Sequence, residues 1–169
     1  MSLSEQKALE ALAAEVGAVL RANGQTLATA ESCTGGWVAQ CLTAIAGSSA
    51  WFERGFVTYS DEAKHEMLGV EFATLNAQGA VSEATAAAMA TGVLCHSRAD
   101  WALSITGIAG PDGGSAEKPV GTVCFGWVGR EAGVEVNTCH FAGDREAIRR
   151  QSVEFALRGI MQRTAKLDA

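Results

Sequence analysis

Ala28-Thr-Ala-Glu-Ser-Cys-Thr-Gly-Gly-Trp37 reads as the end of a buried strand, a turn carrying small nucleophilic side chains, and the glycine-rich start of a helix. Such a turn presents Ser32 and several unpaired backbone N–H groups to one spot. That spot suits two chemistries: attack on a carbonyl, with N–H donors for the oxyanion, or the grip of a phosphate.

The flanking sequence extends the same alternation. Upstream, Leu9, Leu12, Ala13, Val16, Val19 and Leu20 recur at helical spacing, and Asn23-Gly24 ends that helix. Residues 26–31 form the short buried strand. A second helix is expected over 35–45, stopped by Gly47-Ser48-Ser49. Trp, Phe, Val, Thr and Tyr enrich the β-prone segment 51–59, and Ser60 is a good N-cap for a short helix over 61–68. A long alanine-rich helix starts at Ser82-Glu83 and runs to about residue 97. Residues 101–106 are another buried strand, and the glycines and proline of 107–114 permit only a loop. Segments 120–128 and 134–141 read as a hairpin around 129–133, before a closing helix over 144–165. Helices between strands imply parallel pairing, with the late hairpin adding an antiparallel element. The fold expected is α/β: a three-layer α/β/α sandwich with a mixed, mostly parallel sheet, in one domain covering 1–169.

The 169 residues suffice for one core, burying about 70% of the extended-chain surface. The net charge of −6 disfavours non-specific binding to nucleic acid or anionic membrane, which would need a concentrated basic face. Arg145, Arg149, Arg150, Arg158, Arg163 and Lys166 come nearest to one, but Glu146 and Glu154 are mixed among them. Cys33, Cys41, Cys95, Cys124 and Cys139 form no CxxC pair, and most sit among apolar neighbours. Residues 1–10 do not resemble a secretion signal, and no apolar run reaches the 18 or so residues of a membrane span. A reduced, cytoplasmic setting is expected.

In a sandwich of this type ligands bind at the carboxyl ends of the strands. Three loops leave strands there: 32–36, 59–64 and 107–114. Ser32 needs a base to act as a nucleophile. His65, His96 and His140 are placed for surface or packing roles, which leaves Lys64. An ordinary lysine, with pKa about 10.4, would need a drop of about three units, or roughly 4 kcal/mol, through burial or a nearby cation. Tyr59, across the strand-to-helix corner, is expected to share a hydrogen-bond network with the amine and the serine. Cys33 competes as nucleophile, being beside a helix N-terminus that lowers thiol pKa. Thr34 is the expected cap of the second helix, while Gly35 and Gly36 let backbone approach a ligand closely. Glu31 belongs either to the pocket rim or to a pairing with a base. The loop holding Thr106, Gly107, Ala109 and Gly110 forms a binding wall with Lys118-Pro119. Arg145, opening the last helix, either holds a phosphate or lies in solvent beside an Asp144 N-cap. No His/Cys/Asp/Glu cluster has metal-ligand spacing.

Taken together, Ala30-Glu-Ser-Cys-Thr-Gly-Gly36, Gly47-Ser-Ser-Ala-Trp-Phe52, Gly55-Phe-Val-Thr-Tyr-Ser60 with Ala63-Lys64, Gly79-Ala-Val-Ser82, Thr106-Gly-Ile-Ala-Gly-Pro111 and Lys118-Pro-Val-Gly121 resemble the CinA C-terminal family, the nicotinamide-nucleotide amidases. The resemblance covers most of the chain. It implies hydrolysis of the carboxamide of nicotinamide mononucleotide to nicotinate mononucleotide and ammonia, in NAD recycling. The family's catalytic serine, tyrosine and lysine fall on Ser32, Tyr59 and Lys64. It further implies a small pyridine nucleotide as partner, no cofactor or metal, and a homodimer or higher homo-oligomer. Two positions depart from the family pattern: Ala46, where proline often stands, and Asp61, where asparagine does.

Overall fold

The computed structural model describes residues 2–165, so Lys166 lies outside the described residues. Five strands form one sheet in the order β2-β1-β3-β4-β5: β1 (Leu27–Glu31), β2 (Phe52–Val57), β3 (Trp101–Gly107), β4 (Thr122–Gly129) and β5 (Ala132–His140). β1 pairs parallel with both β2 and β3, whereas β4 is antiparallel to β3 and to β5. The sheet is mixed, and β4 runs against the other strands. The carboxyl ends of β1, β2, β3 and β5 therefore meet at one edge, and that edge carries the site.

Helices cover both faces, as the alternation of elements requires. α1 (Leu3–Ala22), α2 (Trp37–Thr43) and α6 (Arg145–Ala165) pack on one face over Leu27, Leu103, Ile105, Phe125 and Trp127. α3 (Asp61–Leu68), α4 (Phe72–Gln78) and α5 (Glu83–Cys95) pack on the other over Ala28, Ala30 and Ala102. Leu9, Leu12, Ala13, Val16 and Leu20 are the buried stripe of α1, started by a capping box between Ser2 and Glu5. Gly17 belongs to that stripe because the ring of Trp51 lies where its Cβ would be. Burying a large apolar side chain of this kind contributes about 1.5–3 kcal/mol.

Several elements differ from the sequence expectation in their bounds or existence, and three of these differences have a local cause. α2 starts at Trp37 because Gly35 and Gly36 take φ of +61° and +93°, outside the helical region. α4 was not anticipated, since its seven residues carry no side-chain cap at Glu71. The hairpin turn is shorter than 129–133: Gly129 pairs with Ala132, leaving Arg130 and Glu131 to turn the chain.

Candidate active site

The turn after β1 is tied down from several sides. Ser32 N–H donates to the Ile105 carbonyl of β3 at 2.9 Å, and Gly35 N–H closes the turn on the Ser32 carbonyl at 3.0 Å. The carboxylate of Glu31, 1% exposed, accepts hydrogen bonds from the N–H groups of Gly36, Val38 and Ala39 at 3.1, 3.0 and 2.9 Å. Glu31 is thus the cap of α2, a role the sequence suggested for Thr34. The Thr34 hydroxyl is buried and makes no hydrogen bond. The capping carboxylate also occupies the positive end of α2, which is no longer free to hold a ligand anion. Among the described residues, the N–H groups of Cys33 and Thr34 are left without a hydrogen-bond acceptor.

Cys33 is corrected as well. Its thiol joins the apolar core under α1, α2 and α6 instead of gaining acidity from a helix end. Burial first, and the Glu31 carboxylate second, push its pKa up to about 12, against smaller opposing effects of Arg149 and Arg145. A thiol in that state is a small hydrophobe.

α3 delivers the amine. Ser60 Oγ accepts from Ala63 N–H at 3.0 Å, capping the helix as its sequence implies, and Gly69 ends it at φ +70°. Lys64, in the second turn, points under the sheet edge and is 1% exposed. Its Nζ lies 3.2 Å from Ser32 Oγ and donates to the Thr58 carbonyl at 3.0 Å. Burial lowers the Lys64 pKa, with Asp61 and Cys33 opposing that shift in part. A neutral amine has one lone pair, and at this distance it can take the serine proton.

Tyr59 and Arg145 stand at the mouth. The phenolic oxygen is not hydrogen-bonded to the amine or the serine, contrary to the sequence expectation. Instead it accepts from Arg145 Nη2 at 2.9 Å, and the residue is 61% exposed. Arg145 Nη1 donates to the Gly110 carbonyl at 2.8 Å, so one guanidinium joins α6, the β2–α3 corner and the loop after β3. Asp144 caps α6 by accepting from Ala147 N–H at 2.8 Å. Asp144 is thus the N-cap the sequence offers, while Arg145 is held by Tyr59 and Gly110 instead of lying unbonded in solvent.

Ser32, Cys33, Tyr59, Lys64, Thr106, Gly107, Ala109 and Arg145 border one cavity of about 240 Å³. Thr34, Gly35 and Gly36 do not border it, and Gly110 contributes at its edge through the Arg145 bond. The Thr106 hydroxyl donates to the Ala80 carbonyl at 2.7 Å. Asp61, Ala80 and Val81 complete the wall and were not foreseen. Nor was Arg149, whose Nε and Nη2 donate to the Cys33 and Thr34 carbonyls at 3.0 and 2.9 Å. The one available signal was its spacing of four from Arg145, which puts both side chains on one face of α6. His65, His96 and His140 each bond away from the cavity, to Val70, Gly92 and Thr122. No group of three or more His, Cys, Asp or Glu among the described residues could hold a metal. No helix among them is long and apolar enough to cross a membrane.

Residues 9–164 match the family model described as the CinA C-terminal domain. The chain is 59% identical over 152 residues to the nicotinamide-nucleotide amidohydrolase PncC of Escherichia coli strain K12, covering 89% of this chain and 92% of that protein. It is 55% identical over 161 residues to the protein of the same name from Enterobacter agglomerans, covering 95% and 98%. Among solved structures, the competence/damage inducible protein CihA of Agrobacterium tumefaciens superposes with a TM-score of 0.89 at 47% identity, covering 91% of this chain and 94% of that one. A CinA superfamily protein of Klebsiella pneumoniae 700603 gives 0.90 at 43% identity, covering 94% and 98%.

Proposed function

The chain belongs to the CinA C-terminal domain family, and from that premise we propose that it is an amidohydrolase converting nicotinamide mononucleotide to nicotinate mononucleotide and ammonia. The observation that carries the reading is the buried Lys64 nitrogen 3.2 Å from Ser32 Oγ. Lys64, neutral, accepts the hydroxyl proton as Ser32 Oγ bonds to the amide carbon. The carbonyl electron pair moves onto oxygen, where the free N–H of Cys33, which borders the cavity, receives it; one such donor is worth about 10²–10³-fold in rate. As the tetrahedral adduct collapses, the C–N bond breaks and Lys64 returns its proton to the nitrogen, which leaves as ammonia. Water then attacks the acyl-enzyme with Lys64 again as base, the ester bond breaks, and Ser32 regains its proton.

Tyr59 and Arg145 bind rather than relay in this scheme. The phenol O–H is free to donate to the substrate amide at the mouth, and Arg145 is the cation for the nucleotide phosphate. The family resemblance supports a homo-oligomer acting on a small molecule, with no cofactor.

Ammonia release measured against nicotinamide mononucleotide, nicotinamide riboside, nicotinamide and simple aliphatic amides tests the proposal. Turnover of the mononucleotide ahead of the others is expected. Nucleotide binding without ammonia would make the turn an anion cradle in a regulatory module. Ammonia from other amides alone would keep the chemistry and reassign the substrate.

A further inference from the structure

Arg149 grips the nucleophile turn in a way the reaction can use. Its Nε and Nη2 hold two successive carbonyls, those of Cys33 and Thr34, and its guanidinium carbon lies 5.2 Å from the Trp37 ring centre. A trans peptide sets its C=O and N–H in opposite directions, so fixing one fixes the other. The bond to the Cys33 carbonyl therefore aims the Thr34 N–H away from Arg149. The bond to the Thr34 carbonyl does the same for the Gly35 N–H, which meets the Ser32 carbonyl. That contact in turn orients the peptide carrying the Cys33 N–H. The Thr34 N–H is fully buried, so the unengaged donor that borders the cavity beside Ser32 is that of Cys33, and it is set at one remove by one side chain from α6.

We propose that Arg149 is a positioning residue that preorganises the Cys33 N–H as the oxyanion donor for Ser32. The inference rests on the amidohydrolase reading above. A guanidinium suits the task because it offers parallel donors in a rigid plane, which a single ammonium does not. The neighbouring Arg145 faces the cavity mouth one turn earlier on the same helix. The same face of α6 therefore carries one arginine toward the opening and one toward the nucleophile.

The test compares the parent chain with R149K and R149M, each confirmed folded by circular dichroism at the assay temperature. If the parent releases no ammonia from any amide, the amidohydrolase reading fails, and the positioning role with it. With an active parent, kcat is expected to fall about 10²-fold or more in both variants, with KM within about threefold. R149K should not rescue, and added methylguanidinium should restore part of the kcat of R149M or of R149A. If kcat stays within about threefold of the parent, if KM alone rises, or if R149K is fully active, the proposal is overturned. Should R149M unfold, R149K with R149A and methylguanidinium gives the same decision.

Discussion

Lys64 Nζ sits 3.2 Å from Ser32 Oγ and 3.0 Å from a backbone carbonyl, with no carboxylate in ion-pairing reach among the described residues. A charged ammonium in that position lacks the counter-ion that usually accompanies a buried charge. The balance shifts toward the neutral form, which is what a base for a serine hydroxyl requires.

The pH dependence of activity follows from this. Burial lowers the Lys64 pKa from its ordinary value, and only the neutral amine is active. kcat/KM should therefore rise with pH through the lowered pKa and level off above it. K64R should remove turnover across the whole range, because a guanidinium is not deprotonated in water at these pH values. A flat profile from pH 5 to 10 would count against Lys64 as base.

Stability should run the same way. The unfolded chain binds a proton at Lys64 at pH values where the folded chain does not, so stability rises with pH from the lowered pKa up to the ordinary lysine value. K64M removes this penalty. Its melting temperature should exceed the parent's at pH 7, and the gap should close near pH 10. A gain of about 1 kcal/mol would appear as about 2–4 °C at this chain length.

Ser32 and Cys33 are adjacent in sequence and opposite in environment. With its pKa pushed up to about 12, the Cys33 thiol is only ~10⁻⁴ ionised at pH 8. C33A should keep ammonia release within about threefold, and S32A should lose it. Thiol alkylation of the folded enzyme should leave the activity intact.

Much of this arrangement was legible in sequence because its signals are local. Ser60 and Gly69 bracket α3, the glycine pair after Thr34 marks the start of α2, and the apolar stripe from Leu9 to Leu20 gives α1. Lys64 was a candidate on spacing, but its burial was not readable, since Glu62, His65 and Glu66 make α3 look solvated. Glu31 escaped because it caps a helix that starts six residues later, across two glycines with positive φ. Arg149 escaped because its partners lie 115 and 116 residues away, a distance no local pattern spans. The Tyr59 phenol turned to Arg145 for a similar reason: β5 and α6 bring that cation to the same sheet edge from the far end of the chain.

Arg145 should separate binding from chemistry. R145A removes the proposed phosphate partner without touching the Lys64–Ser32 pair. A charge-assisted hydrogen bond contributes about 1.5–3 kcal/mol, so KM for nicotinamide mononucleotide should rise about 10–100-fold. For nicotinamide riboside, which lacks the phosphate, the parent and R145A should differ little in KM. Equal losses on both substrates would place the phosphate elsewhere.

Packing between α3 and α5 should matter to the site at a distance. A Cβ on Gly92 of α5 would collide with the Leu68 carbonyl and side chain, at the end of the helix that carries Lys64. Helix backbone cannot yield as a flexible side chain does, so α3 must shift or the contact must open. Overpacking of this kind costs about 1–3 kcal/mol, which for this length lowers the melting temperature by several degrees. Because α3 holds Lys64 3.2 Å from Ser32 Oγ, a shift of the helix also lengthens the proton-transfer distance. G92A should therefore lose kcat as well as stability, measured where the variant is still fully folded. G133A offers the contrast: a Cβ there meets nothing within 4 Å, and neither quantity should move. If G92A melts early yet keeps full kcat, the α3–α5 contact supports the fold without setting the position of the amine.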